Sequence, residues 1–252
     1  MVVMQKPELI IHLKGVTLHY GGDDVVHEID LEVKKGETKV ILGPSGVGKS
    51  TILKAILGLL RPKTGQVLVR GEDISSLPER ELVKIRLKMA MVFQHGALFD
   101  SMTVGENVSY RLREHSLTQE NETERRVQEV LKFVDLQGAV HLRPAQLSGG
   151  MKKRVAIARA LASNPEIFLF DELTVGLDPI NAFNVEQAIL KLKEKYHATI
   201  IIVTHDVGSA FRLADSIVML HQKKFIFEGT AGELKLNQDQ RVRDFLDPAA
   251  IT

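Results

Sequence analysis

Cysteine is absent from the 252 residues. Its absence excludes disulfides, thiolate metal sites and a cysteine nucleophile, and it fits a reducing cytosol. Long apolar runs are missing too. Thr199-Ile200-Ile201-Ile202-Val203 is representative, far short of the ~20 residues that a membrane-spanning helix needs. Residues 1–10 carry Lys6, Pro7 and Glu8 and have no apolar core, so no secretion signal is expected there. A soluble chain is expected, with any membrane spanning left to another polypeptide. No single sign of charge dominates. The net charge of +1 gives no electrostatic footprint for nucleic acid, so no nucleic-acid partner is expected. Internal repeats and low-complexity segments are also lacking. What is present is an ordinary globular balance, 44% hydrophobic and 26% charged, which argues against disorder and allows a buried core.

Apolar and polar residues alternate over 9–20 and 25–33, with Gly21-Gly22-Asp23-Asp24 between them as a turn. That pattern predicts a hairpin on an antiparallel sheet. Residues 38–42 read as a short buried strand running into a Gly-rich loop. Helical spacing follows over 49–60 and ends near Gly58 and Pro62. Further strands are expected over 66–70 and leading out of 87–93. From about residue 96 to 163 the character changes, with an amphipathic helix over 122–134 and a second, rich in Ala, Arg and Lys, over 149–162. Residues 167–170 and 199–203 then read as buried strands flanking a helix over 185–196. This rhythm predicts right-handed crossovers and a parallel sheet covered by helices.

Gly43-Pro44-Ser45-Gly46-Val47-Gly48-Lys49-Ser50 matches the phosphate-loop pattern and stands between a strand and a helix, as that pattern requires. Glycines let the backbone wrap closely, so that its N–H groups and the helix N-terminus face an anion. Lys49 is expected to bring positive charge to the β- and γ-phosphates, and Ser50 a hydroxyl ligand to Mg²⁺. Thr51, in the same turn, is counted with the nucleotide-binding residues. Asp171 and Glu172 follow the apolar strand 167–170. Ligands of parallel sheets bind beyond the carboxyl ends of strands. Asp171 is therefore expected to hold Mg²⁺ through water, and Glu172 to polarise the attacking water. His205 follows the next strand on the same edge, placed to hydrogen-bond a γ-phosphate. Gln94 also follows a strand, with an amide able to ligate Mg²⁺. Leu147-Ser148-Gly149-Gly150 opens a helix with a hydroxyl and bare glycine amides, the makings of a second anion site. Taken one at a time, these segments also fit a Gly-rich turn, a solvated acidic turn, a polar cap and a helix N-cap. One phosphate already has its cradle, so the residues alone leave open what the second site grips.

In this order the motifs resemble the ATP-binding-cassette ATPases, over nearly the whole chain. The resemblance implies an α/β fold: a P-loop NTPase (RecA-like) core with a parallel sheet, an N-terminal antiparallel β subdomain and an inserted α-helical subdomain at about 96–163, within one domain, 1–252. It implies ATP and Mg²⁺, and a head-to-tail homodimer in which the Ser148-Gly149-Gly150 signature of one copy caps ATP on the phosphate loop of the other. It also makes Asp178 a cross-dimer contact. Tyr20 stands where the family stacks an aromatic ring on adenine. A closer resemblance runs through Gly96-Ala97-Leu98-Phe99-Asp100-Ser101-Met102-Thr103-Val104, Asn107-Val108, Leu112-Arg113-Glu114-His115, Val175-Gly176-Leu177-Asp178-Pro179-Ile180 and Arg241-Val242-Arg243-Asp244-Phe245-Leu246. These are similar to the ATPase subunits of Mla-type and Mce-associated lipid transporters. That likeness implies phospholipid cargo, an integral membrane permease, a lipid-binding Mce-type protein, and a peripheral place on the cytoplasmic face of the inner membrane.

Three departures from the family pattern stand out. Met151 replaces the usual Gln, as it does in close relatives, and little loss is expected. Leu173 replaces the proline that usually follows the catalytic Glu. Proline fixes φ near −65°, so its absence is expected to loosen Glu172 and slow hydrolysis. The chain stops soon after Phe245-Leu246, so a tail that locks the dimer is not expected. The leading expectation is an ATPase driving a lipid transporter, and the alternatives are the same engine in an amino-acid, ion or lipoprotein system. A soluble non-transport cassette protein would carry two cassettes or a long coiled-coil insert, and neither is visible. A module that holds ATP without hydrolysing it is kept open by Leu173.

Overall fold

Two twelve-residue strands, β1 (Leu9–Tyr20) and β2 (Asp23–Lys34), begin the computed structural model, which describes residues 8–115 and 118–247. Gly21-Gly22 turns the chain between them, and they pair antiparallel from Leu9↔Lys34 to Tyr20↔Asp23. In β2, Ile29, Leu31 and Val33 are buried while Asp30, Glu32 and Lys34 are exposed. That is the two-residue period of a sheet with one wet face. In β3 (Thr38–Leu42) all five residues are buried, the pattern of a strand covered on both faces. There follow α1 (Lys49–Ile56), β4 (Thr64–Val69), β5 (Glu72–Asp73) and α2 (Glu79–Arg86). β4 joins β1 and β5, giving an antiparallel sheet of order β2-β1-β4-β5.

The described residues gather into two compact units. The second is Leu87–Tyr196, and the first takes the chain on either side of it. The second unit contains β6 (Met89–Val92), α3 (Val104–Glu114), α4 (Glu120–Phe133), α5 (Gly149–Ala162), β7 (Ile167–Asp171) and α6 (Pro179–Tyr196). The chain then returns to the first unit with β8 (Thr199–Thr204), α7 (Val207–Leu213), β9 (Ser216–His221), β10 (Lys224–Gly229), α8 (Ala231–Lys235) and α9 (Gln240–Leu246).

Within the first unit, β3 runs parallel to both β8 and β9, and β10 closes antiparallel on β9. The strand starts are tied by side chains. Gly36 N–H donates to Thr199 Oγ1 at 3.0 Å, and Thr38 N–H to Asp215 Oδ2 at 2.8 Å. Within the second unit, β6 and β7 are parallel, and the Phe168 and Phe170 rings stack at 6.1 Å with no exposure. α5 packs against α3, α4 and α6. Val155, Ile157 and Ala158 are fully buried along it. Its last carbonyls, at Leu161 and Ala162, accept from the Arg126 guanidinium at 2.8 and 3.1 Å, a cation where the helix dipole favours one.

The parallel strands and the antiparallel N-terminal sheet match the expected class. Helix boundaries differ where side chains intervene. α1 stops at Ile56, because Gly58 takes a φ of 64° and ends the helix. α3 lies outside the helices read from the sequence, although its start carries a complete capping box between Thr103 and Glu106. α6 begins at Pro179 rather than near residue 185, for a reason found in the site. Phe170→Ala is expected to cost about 3–5 kcal/mol of stability, read from urea unfolding, because it empties a fully buried ring beside the acidic strand end.

Candidate functional site

β3 and β8 pair with Leu42 opposite Thr204, so the residues that follow, Gly43 and His205, leave the first unit's sheet at the same end. Gly48 caps α1 at φ 110° without a side-chain hydrogen bond. A Cβ there would lie 2.6 Å from Val25 Cγ1, so the backbone angle and the space both require glycine. A helix start without a capping side chain is the arrangement that receives an anion. Lys49 is buried, and its ammonium donates to the carbonyl oxygens of Gly43 and Pro44, at 2.9 Å each. Ser45 and Gly46 are exposed, whereas Pro44, Val47, Ser50 and Thr51 are half-buried. His205 is exposed, in a turn fixed on both sides. Asp206 N–H donates to Thr204 Oγ1 at 3.0 Å, and Asp206 Oδ1 accepts from Ser209 N–H at 3.1 Å to cap α7. Tyr20 ends β1 opposite Asp23, on the hairpin whose other arm brings Val25 and Val26 against Gly48. The Tyr20 side chain lies outside what the structure describes.

In the second unit the register of β6 and β7 ends at Val92↔Phe170. Gln94, Asp171 and Glu172 therefore come off the same end of that strand pair. Asp171 is the last residue of β7 and is half-buried. Glu172 is 8% exposed and has φ 49°, a left-handed conformation that costs a non-glycine residue about 1–3 kcal/mol. Leu173 follows it with 3% exposure. Here burial of an apolar side chain anchors the turn where the family usually has a proline ring.

Ser148 is the N-cap of α5, its Oγ accepting from Met151 N–H at 3.2 Å. Gly150 lies so close to α6 that a Cβ would sit 2.2 Å from Asn181 Oδ1 and 2.6 Å from its Cγ. Gly149 faces Leu177, with 3.3 Å to an added Cβ. Asp178 makes the start of α6. Its Oδ1 accepts from the N–H groups of Ile180 and Asn181 at 3.1 and 3.0 Å, and its Oδ2 from Asn181 Nδ2. The Asn181 side chain first, and then the backbone donors, hold the Asp178 carboxyl below the usual carboxylate range. With Pro179 at the first helical position, this cap explains the early start of α6. The signature glycines and residues 177–181 are thus one packed piece.

Ser50 offers a hydroxyl oxygen in the first unit, and Gln94 and Asp171 an amide and a carboxylate oxygen in the second, each a hard donor of the kind Mg²⁺ takes. Among the described residues no group of three or more His, Cys, Asp or Glu could hold a metal.

Asn107 and Arg159 shape the loop after Gln94. Asn107, fully buried, exchanges hydrogen bonds with the Phe99 backbone at 2.8 and 3.1 Å. Arg159 donates to the carbonyls of Ala97 and Gly96 at 2.7 and 2.8 Å. The Thr103/Glu106 capping box would have located Asn107 on the first turns of a helix. No local signal marks Arg159. Beside the loop lies a groove of ≈ 480 Å³ lined by Phe93, Phe99, Tyr110, Glu114, His115 and Arg159.

One phosphate cradle has no use for a second glycine-rich helix start on the same chain. The class of protein that carries both, with acids at the ends of parallel strands, is the nucleotide-binding cassette. The ABC transporter family model matches residues 26–175, and the chain belongs to that family, as the ATP-binding and ATP-hydrolysing subunit of an ABC transporter. It is 41% identical over 237 residues to the intermembrane phospholipid transport system ATP-binding protein MlaF of Haemophilus influenzae, covering 94% of this chain and 90% of that one. It is 40% identical to the probable ribonucleotide transport ATP-binding protein mkl of Mycobacterium leprae, covering 96% of this chain and 70% of that one. Among solved structures, cbiO1 from Clostridium perfringens, part of the transporter complex cbiONQ, superposes with a TM-score of 0.85 at 28% identity, covering 97% of both chains. A dimeric post-hydrolysis structure of the cassette MJ0796 bound to ADP and Pi gives a TM-score of 0.80 at 36% identity, covering 88% of this chain and 98% of that one. The fold is that of these cassettes.

Gly150→Ala is expected to cost about 1–3 kcal/mol by driving a methyl into Asn181. Adding Asn181→Gly removes the clashing atoms and is expected to restore part of that loss in thermal unfolding. No recovery would mean that this contact is not what requires glycine.

Proposed function

We propose that this chain energises phospholipid movement through a separate integral membrane permease, working from the cytoplasmic face of the inner membrane. The observation that carries the cargo is the 41% identity, over 94% of the chain, to a relative named for intermembrane phospholipid transport. A second reading, ribonucleotide cargo, is favoured by the relative named for it at 40%. The engine is common to both.

Lys49 turns its ammonium from the Gly43 and Pro44 carbonyls to the β- and γ-phosphates, which the residues from Gly43 to Thr51 enclose. Tyr20 stacks on adenine. Ser50 and Gln94, with Asp171 through water, would hold Mg²⁺, which would supply positive charge against that developing on the phosphates. Glu172 polarises the attacking water, its carboxylate positioned by the left-handed turn that buried Leu173 anchors. His205 hydrogen-bonds the γ-phosphate. Two copies close head to tail, so that Ser148, Gly149, Gly150 and Asp178 of one cap the nucleotide on the phosphate loop of the other. The dimeric state of a solved relative supports this closure. The groove at Phe93, Phe99 and Tyr110 takes the permease, and Asn107 and Arg159 give the neighbouring loop the stiffness to transmit closure. An Mce-type lipid-binding protein completes the assembly. Among the described residues no helix is long and apolar enough to cross a membrane.

Tagging the chain, solubilising its native membranes gently and identifying copurified proteins and lipids by mass spectrometry tests the cargo. A permease with an Mce-type protein and bound phospholipid is expected. A permease with a soluble solute-binding protein would change the cargo, and no membrane protein at all would sink the transport reading. Glu172→Gln is expected to bind ATP and remain dimeric on gel filtration while phosphate release falls about 100-fold or more. Normal turnover in that variant would remove Glu172 from the mechanism.

A further inference from the structure

Two hairpins from distant parts of the chain wall in the loop 43–50. One is β9–β10. β3 and β9 run parallel with Leu42 opposite Met219, so Gly43 and Leu220 follow side by side. A Cβ on Gly43 would lie 2.3 Å from the Leu220 carbonyl oxygen. The other wall is β1–β2, whose Val25 and Val26 leave no room for a side chain on Gly48. Leu220 and Val26 have no exposure. The two walls are also joined to each other. His27 N–H, on the outer strand of the antiparallel sheet, donates to the Lys223 carbonyl at 2.8 Å. Lys223 stands in the two-residue turn between the paired His221 and Lys224, where Gln222 (φ 43°) and Lys223 (φ 72°) are both left-handed. That is the shape of the tightest hairpin turns, adopted here without a glycine.

We infer that the His27–Lys223 hydrogen bond is a latch that pre-shapes the loop for nucleotide: it keeps one hairpin against Gly43 and the other against Gly48, and makes the backbones of His27 and Lys223 positioning groups for ATP and ADP. The inference rests on the reading of residues 43–50 as the phosphate cradle. A loop with glycines at 43, 46 and 48 has wide conformational freedom. Left free, it would hold the binding shape for only part of the time, and apparent affinity falls by that fraction. Walls fitted against bare glycines remove the alternatives before the ligand arrives. They do so only while they stay in place, and the backbone bond between the two sheets fixes one wall to the other. A contact that only added stability would leave nucleotide affinity untouched.

The test uses the full chain with His27→Pro, with His27→Ala, and with one glycine inserted between Gln222 and Lys223. Proline lacks the N–H, and the insertion displaces the Lys223 carbonyl. Alanine keeps the bond while removing an imidazole whose nitrogens lie 3.7 Å from Asp24 Oδ2 and 3.8 Å from Glu28 Oε2. ADP affinity is measured by isothermal titration calorimetry, well below the thermal midpoint of every variant. His27→Pro and the insertion are each expected to weaken ADP about three- to ten-fold, the scale of one hydrogen bond. They should also raise KM for ATP with kcat little changed, the mark of lost binding rather than lost chemistry. His27→Ala should bind ADP as the unsubstituted chain does. The insertion sits at a hairpin tip, where added residues are tolerated, and carries the test if the proline variant fails to fold. Unchanged ADP affinity in the bond-breaking variants overturns the inference, whatever their thermal midpoints, and so does an equal loss in His27→Ala. Full ADP affinity in Lys49→Ala would overturn the reading of residues 43–50 instead.

Discussion

Parallel pairing in register is the constraint on which the site depends. Strands that run the same way end at the same place, and whatever follows each of them is delivered there together. In the first unit Leu42 faces Thr204, so the phosphate loop and His205 emerge side by side. In the second, Val92 faces Phe170, so Gln94 emerges beside Asp171 and Glu172. The strands that do this are buried almost throughout, with Ile41, Leu42, Val203, Phe168 and Phe170 having no exposure. A slip of one residue would turn each of these side chains to the opposite face. The hydrophobic core therefore sets the register, and the register sets where the candidate residues emerge.

A second constraint acts through close approach. Gly150 is required because Asn181 occupies the space of a side chain, and Asn181 is held by the same carboxylate that starts α6. Asp178 thereby has a structural task beside its proposed role across a dimer. The cap holds it charged and oriented, so a residue proposed to meet a partner copy is already placed within its own chain. Glu172 shows the same economy. Its left-handed backbone is strained, and the buried Leu173 holds the turn where a proline would otherwise restrict it.

Much of the fold could be read locally. The limits of β3 and α5 coincide with the expected ones, because a fully apolar strand before a Gly-rich loop and a Ser-capped, Ala-rich helix are complete local signals. The start of α6 could not be read that way. Apolar periodicity locates the middle of a helix, whereas this start is made by one aspartate side chain accepting from two backbone N–H groups. α3 was legible in principle from Thr103 and Glu106, but its apolar stripe is weak between the charges of residues 111–114. The Tyr20 ring lies outside the description, so its link to adenine rests on resemblance.

The sequence by itself determined which residues are proposed to carry the chemistry and in what order: the phosphate loop, Gln94, the signature, the acidic pair and His205. Those motifs are short, and their physical requirements are met by neighbours in the chain. Only the tertiary structure decided that Leu42 meets Thr204, that Gly150 has room for nothing larger, that Arg159 holds the loop beside an apolar groove, and that Lys153 is buried with no hydrogen-bond partner for its ammonium. Each of these depends on contacts between segments far apart in the chain. Burial, and with it the strength of a charge, is a property of the packed whole.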